Sequence, residues 1–90
     1  MHSYGSVIRR ARQERGLSLV ELADKAGTNK GYISGIETES VSPPAPRLSM
    51  RLAKALGLDP KDLLRRAWVE KAPREIRSEL MALLFPSEFN

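Results

Sequence analysis

Apolar residues recur at spacings of three and four through most of the chain, which is the pattern of amphipathic helices. In the first such stretch, Val7, Ile8 and Ala11 form one apolar stripe, flanked by Arg9 and Arg10. The predicted helices cover about residues 5–15, 19–26, 30–37, 47–56, from 60 through Trp68, and 73–86, after a short arm at residues 1–5. No alternating strand pattern is visible. The sequence therefore predicts an all-α chain of five helices with a sixth at the C-terminal end.

Residues 15–37 carry several independent signals for two short helices joined by a tight turn. Ser18 and Glu21 have the S-x-x-E spacing of a capping box, which opens a helix. Gly27 can adopt the left-handed backbone that ends that helix, and Asn29 is a favourable N-cap for the next one. This combination is typical of the helix-turn-helix unit.

Proline marks the boundaries of the later helices. Three of the four residues 43–46 are proline, so a loop is predicted over residues 38–46. Asp59 before Pro60 is an N-cap followed by proline at the first helical position, which predicts the start of the fifth helix.

Positive charge is concentrated in the first part of the chain. Residues 1–66, the predicted helix-turn-helix domain, contain 12 Lys/Arg and 7 Asp/Glu. Residues 67–90, the predicted C-terminal helical extension, contain 3 Lys/Arg and 4 Asp/Glu. The net charge of +4 favours a polyanionic partner, although modest positive charge can equally serve solubility alone.

Composition excludes several other classes of function. The 90 residues suit one small domain; there is no cysteine, and the only histidine is His2, in a terminus expected to fray. The folded body thus offers no thiolate metal site and no histidine base, so neither a metal, a cofactor nor an enzymatic activity is predicted. No apolar run approaches the ~20 residues of a membrane span, and no signal-peptide core is visible. A cytoplasmic protein is expected.

Over about residues 7–64 the chain resembles the Cro/C1-type (xenobiotic-response-element) family, which includes phage repressors. The positions that carry the resemblance are Ile8, Arg12, residues 15–18, residues 21–23, Gly27, residues 32–34, Ile36, Glu37 and residues 52–57. The resemblance implies a five-helix, lambda-repressor-like fold that binds double-stranded DNA with its third helix in the major groove.

The resemblance also implies roles for individual residues. Arg12 and Glu37 match a charge pair that ties the first helix to the end of the third, although Arg12 could instead hold a phosphate. The positions expected to contact base edges are Asn29, Lys30, Gly31, Ser34 and Gly35. The two glycines depart from the family because they have no side chain for a bidentate base contact. They indicate either a close approach of the backbone to the groove or weakened recognition of DNA.

Contacts to the DNA backbone are expected from a helix start, hydroxyl groups and basic side chains. The candidates are Arg10, Ser18, Leu19, Lys25, Tyr32, Ser40, Ser42, Arg47 and Arg51. Leu19 is a second departure, since the family often has glutamine there; only the backbone N–H groups at this helix start can hold a phosphate. The charged and hydroxyl side chains have the ordinary alternative of a solvated surface position.

The C-terminal helix carries an apolar face broader than one small core requires. We expect it to form an interface with a second copy, giving a homodimer, or with another protein. The residues of this predicted interface are Trp68, Ile76, Leu80, Met81, Leu83, Leu84 and Phe85. Alternatively, the helix folds over the first and fifth helices and completes the core around Trp68.

Together these features predict a sequence-specific DNA-binding transcriptional regulator, most simply a dimeric repressor. One alternative is an antitoxin that autoregulates its operon and binds a toxin through the C-terminal helix. Another is a protein-interaction adaptor with weak DNA affinity, since fold alone does not fix function.

Overall fold

The computed structural model describes residues 2–89, and within this range there are seven helices and no strand. The helices are α1 (Tyr4–Glu14), α2 (Leu19–Ala26), α3 (Lys30–Thr38), α4 (Pro46–Leu56), α5 (Pro60–Lys71), α6 (Arg74–Leu84) and α7 (Pro86–Phe89). The all-α prediction is confirmed, and the predicted helix boundaries lie close to the observed ones. The short α7 was not predicted, because Pro86 was expected only to end a helix. No helix in the described range is long and apolar enough to cross a membrane.

The first helix begins earlier than predicted. The Ser3 hydroxyl accepts a hydrogen bond from the Ser6 amide (3.2 Å), so Ser3 is the N-cap and α1 starts at Tyr4. Tyr4 is 1% exposed, and its hydroxyl lies 2.7 Å from the Ser49 hydroxyl of α4. Burial raises the pKa of Tyr4 to about 12, although the Ser49 hydrogen bond opposes the shift. The prediction of an arm over residues 1–5 is therefore wrong for Tyr4 and Gly5, which are helical and buried.

Gly5 allows α1 to pack directly against the backbone of α3. A Cβ at this position would lie 2.3 Å from the carbonyl oxygen of Ile36 and 3.1 Å from that of Glu37. Only a glycine permits such a close approach between two helices. Gly5 thus fixes the distance between α1 and α3.

The main hydrophobic core is formed by all five helices from α1 through α5. Its apolar residues come from the inward stripe of each helix, as the sequence pattern predicts. The largest of its fully buried apolar side chains are Tyr4, Ile8, Leu22, Ile33, Ile36, Leu52 and Leu63. Burying such residues contributes roughly 1.5–3 kcal/mol each relative to leaving them in water.

The C-terminal helices form a smaller, separate cluster. Val69 of α5 packs with Met81 and Phe85, and Leu80 and Leu84 are half-buried beside them. Two members of the predicted interface, Met81 and Phe85, are thus core residues of the single chain, 7% and 6% exposed, rather than surface residues as predicted.

Trp68 lies outside both clusters. It is 59% exposed, so the predicted core around Trp68 is wrong, although the C-terminal helix does pack on α5, as that alternative expected. The reason is local: the inward face of α5 is already filled by Leu63 and Ala67 towards the main core and by Val69 towards α6.

Candidate DNA interface

The two helices of the helix-turn-helix unit are fixed by the caps that the sequence predicts. The Ser18 hydroxyl accepts from the Glu21 amide (3.0 Å), and the Glu21 carboxylate accepts from the Ser18 amide (2.9 Å). These hydrogen bonds lower the pKa of Glu21. Gly27 ends α2 at φ 71°, in the left-handed region, and Asn29 caps α3 by accepting from the Tyr32 amide (2.9 Å). The angle between α2 and α3 is set by these few residues.

The ion pair between Arg12 and Glu37 is present and holds three parts of the domain together. The guanidinium donates to both carboxylate oxygens, at 2.7 Å and 3.0 Å, and also to the Leu17 carbonyl (2.8 Å). The hydrogen bond to Glu37 raises the pKa of Arg12. Because the Glu37 side chain is only 5% exposed, this bidentate pair orients the end of α3 against α1 and the turn before α2. Arg12 is therefore occupied and not available to a phosphate.

The first turn of α3 is the exposed part of that helix. Asn29, Lys30 and Gly31 are exposed, and Ser34 is half-buried. The Asn29 side-chain oxygen is used by the helix cap, which leaves its amide nitrogen to face outward. A Cβ at Gly31 would meet only that oxygen, at 3.5 Å, so the position is open to solvent.

Gly35, by contrast, is buried and does not face outward, so its prediction as a base contact is wrong. A Cβ there would lie 3.3 Å from the Ser40 hydroxyl and from both methyl groups of Val41. The Gly35 carbonyl also accepts from the Ser40 and Val41 amides (3.0 and 3.3 Å). This glycine packs the loop after α3 against the helix, which explains it without reference to DNA.

The start of α2 offers backbone N–H groups. Within the described chain the amides of Leu19 and Val20 have no hydrogen-bond acceptor, as expected for a first helical turn. The Leu19 side chain packs on the main core and Val20 is 50% exposed. Tyr32 also packs on that core and is half-buried. The two free amides, rather than the Leu19 side chain, can bind an anion.

The basic side chains predicted to contact the DNA backbone lie on three different helices, α1, α2 and α4. Lys25 and Arg51 line one cleft together with Lys54, which the sequence reasoning missed although it lies three residues after Arg51 on α4. Arg47 is exposed at the start of α4, and Arg10 is exposed and bound to Glu14 at 3.1 Å.

The loop hydroxyls lie beside two further basic residues that sequence reasoning missed. Ser40 and Ser42 line a second cleft with Lys71 and Arg77. The cleft also contains carboxylates, since Glu39 and Glu70 belong to its lining.

The predicted C-terminal interface divides into parts. On α6, Ile76 and Leu83 are 41% and 76% exposed, and Leu80 and Leu84 are half-buried. Trp68 belongs to a different surface, beside the loop before α4. The exposed members therefore form two separate surfaces rather than one.

Arg66 was missed entirely, yet it joins the two ends of the described chain. It is 5% exposed and binds Asp62 (2.9 Å) and Glu88, donates to the His2 carbonyl (2.8 Å), and stacks 4.1 Å from the Phe85 ring centre. Burial by itself lowers the pKa of an arginine, but the bonds to Glu88 and Asp62 outweigh it and raise the pKa of Arg66. The expectation of a frayed terminus at His2 is thus wrong.

Comparison with known proteins places this arrangement in a family. The helix-turn-helix family model matches residues 8–63. The HTH-type transcriptional regulator SinR of Bacillus subtilis (strain 168) is 37% identical over 60 residues, which are 67% of this chain and 54% of that protein. The HTH-type transcriptional repressor RghR of the same organism is 32% identical over 87 residues, 90% of this chain and 64% of that protein. The chain thus spans between about half and two thirds of the length of these relatives.

Two solved structures share the fold. The crystal structure of SinR, the master regulator for biofilm formation, in complex with DNA has a TM-score of 0.63 at 36% identity, over 68% of this chain and 97% of that one. The complex of SinR with the SinI protein has a TM-score of 0.64 at 29% identity, over 92% and 80% of the respective chains. The chain therefore belongs to the Cro/C1-type helix-turn-helix family, which is a family of DNA-binding transcription regulators.

Proposed function

We propose that this protein is a sequence-specific DNA-binding transcriptional regulator, and that it represses by occluding a promoter. The proposal rests on the exposed first turn of α3 together with the free amides at the start of α2, on a scaffold fixed by two helix caps and the Arg12–Glu37 pair. A relative that matches this region at 36% identity has been solved bound to DNA. With DNA as its partner and relatives from Bacillus, we propose that the protein acts in the cytoplasm.

In this proposal α3 enters the major groove by its first turn. Lys30 is the one long side chain there and reads a base edge, with Asn29 and Ser34 beside it. The open position at Gly31 lets the helix backbone come close to the bases. With so few side chains available, part of the specificity comes from the shape and deformability of the DNA.

The DNA backbone is held mainly by amides and cations around this helix. A phosphate binds the amides of Leu19 and Val20 at the start of α2. Lys25, Arg51 and Lys54 line a cleft at the C-terminal end of α2, together with Asp24, and add positive charge there. These contacts supply affinity for any sequence, and they weaken as salt increases.

In vitro selection from a random duplex library at about physiological salt tests the proposal. We expect an enriched palindrome that the protein binds at least about a thousandfold more tightly than scrambled DNA. Enrichment of no sequence, with only weak salt-sensitive binding, would instead favour the adaptor alternative.

We further propose that α6 joins two copies of the chain. Ile76, Leu80 and Leu83 recur at spacings of four and three, so they share one face, on which Leu83 is largely exposed and Ile76 is 41% exposed. A two-fold dimer presents two α3 helices about one DNA turn apart, ~34 Å. The relative solved with a protein partner matches 92% of this chain, which includes residues of the C-terminal extension.

Sedimentation equilibrium tests this interface. We expect a dimer for the unaltered chain and a monomer for Leu83→Glu, whose 76% exposure makes an effect on the monomer fold minor. Trp68→Ala is the matched control, because it removes an exposed apolar residue from another surface and is expected to leave the dimer intact. A monomeric unaltered chain would mean that the face receives a different protein.

A further inference from the structure

The charges of α5 are sorted onto different faces of the helix. Lys61, Arg65 and Lys71 are all exposed, and none of them forms a salt bridge within the described chain. The acidic residues of the helix, Asp62 and Glu70, are both half-buried. The exposed charged side chains of α5 are therefore all basic, although Lys71 also borders the cleft that contains Glu39 and Glu70.

Both acidic residues are already bound to other parts of the molecule. Asp62 accepts from Arg66 at 2.9 Å, and Glu70 accepts a hydrogen bond from the Tyr4 amide at the start of α1. The carboxylates of Asp62 and Glu70 therefore cannot pair with the three cations without breaking these hydrogen bonds. The positive charge of the outer face is thus permanent in the folded chain.

An apolar recess lies beside α5, and one of the three cations, Lys71, borders it. It has a volume of about 280 Å³ and is lined by Pro44, Pro46, Leu64, Ala67, Trp68 and Lys71; we call it the Trp68 groove. The exposed Trp68 forms one wall, and prolines from the loop before α4 form another. An exposed tryptophan beside a recess is the usual anchor point of a protein interface.

We propose that the Trp68 groove binds an acidic segment of a partner protein. An apolar side chain of that segment enters the recess beside Trp68, while neighbouring carboxylates pair with Lys61, Arg65 and Lys71. The apolar contact supplies most of the affinity, and the basic surroundings select an acidic partner and speed its association. This inference is independent of DNA binding by α3.

The apolar recess argues against two other occupants. The DNA backbone would meet the cations but has no apolar group to fill the recess between the prolines and Trp68. A second copy in a two-fold arrangement would place the same three cations against their own counterparts, which is repulsive. An acidic peptide with an apolar residue satisfies both the charge and the shape.

Selection of short random peptides against the full chain tests the proposal. We expect the enriched peptides to combine several Asp or Glu residues with one aromatic or large aliphatic residue. Trp68 is the only tryptophan, so its emission should shift to shorter wavelength when such a peptide covers it. Affinities of the variants can be measured from the anisotropy of a labelled selected peptide.

Trp68→Ala is expected to weaken peptide binding by at least about tenfold, and Lys71→Glu to weaken it and reduce its dependence on salt. Met50→Ala is the matched control, because it removes an apolar residue of similar exposure that does not line the groove, and it is expected to leave peptide binding unchanged. Binding that survives Trp68→Ala, or selection that yields no acidic peptide, overturns the proposal. Displacement of the peptide by random-sequence duplex DNA, with the same emission shift, would assign the surface to phosphates instead. Concentration-dependent burial of Trp68 without any peptide would assign it to a second copy.

Discussion

Replacing Gly5 by alanine tests whether the close approach of α1 and α3 holds the domain in shape. The added Cβ would lie 2.3 Å from the Ile36 carbonyl oxygen, whereas ordinary contacts begin at 3.4 Å. That oxygen belongs to the backbone of α3 and cannot rotate away as a flexible side chain could. The two helices must therefore separate by about 1 Å, which a close-packed interior resists.

The expected loss of stability is the difference between two effects. Overpacking of this kind costs about 1–3 kcal/mol, and more when backbone must move. Alanine in a helix is favoured over glycine by about 1 kcal/mol, which offsets part of that cost. Because the displaced α1 also carries Tyr4 and Ile8 out of the core, we expect a net loss of about 1–2 kcal/mol. For a domain of this size the loss corresponds to a decrease in Tm of roughly 5–15 °C.

Urea unfolding followed by circular dichroism measures the effect, and Gly31→Ala supplies the control. Gly31 is also helical, but its Cβ would make only an ordinary contact, at 3.5 Å, with the Asn29 side-chain oxygen, so that variant should gain up to about 1 kcal/mol from helix propensity. The two alanine variants should therefore shift the unfolding midpoint in opposite directions. If Gly5→Ala is as stable as Gly31→Ala, the packing described between α1 and α3 is incorrect.

Three further perturbations address the ion pairs and the DNA surface. Arg12→Ala leaves the buried Glu37 carboxylate without its partner, so it should destabilise the domain by about 3–5 kcal/mol, as measured by urea unfolding. An unchanged unfolding midpoint would contradict the structural role of the pair. The hydrogen bond from Arg66 lowers the pKa of Glu88 below 4.5, so its contribution to stability is present above that pH and is lost as the pH falls through the lowered value. Glu88→Gln should flatten this acid-side loss in thermal unfolding measured across pH, and an identical pH profile would count against the pair. Lys30→Ala should weaken binding to a selected duplex by about 1–3 kcal/mol if Lys30 contacts a base, and an equal loss on scrambled DNA would instead mean a phosphate contact.

The local signals in the sequence predict the helix-turn-helix unit well, because they act over three or four residues. The Ser18–Glu21 box, the Gly27 termination and the Asn29 cap are all observed. Each depends only on backbone geometry at one helix end, which the residue types themselves determine.

Contacts between distant parts of the chain could not be predicted in the same way. Arg66 and Asp62, at a spacing of four, have the pattern of a solvated surface pair, but the return of α7 buries Arg66 and leaves Asp62 half-buried. From the sequence, Gly35 resembles a base-contact position that lacks a side chain. In the structure, Ser40 and Val41 of the following loop pack against it. Trp68 was expected in an interface or in the core, but smaller residues fill the inward face of α5 and leave it 59% exposed.

The cluster around Arg66 brings the two ends of the described chain to one place. His2 and Glu88 are bound to the same guanidinium, although 86 positions separate them. A short linker could therefore join the ends, with new termini opened in the exposed loop before α4, and such a circular permutant should retain the fold. Any sequence that continued beyond either end would emerge at the same point, so two appended domains would be neighbours from the outset.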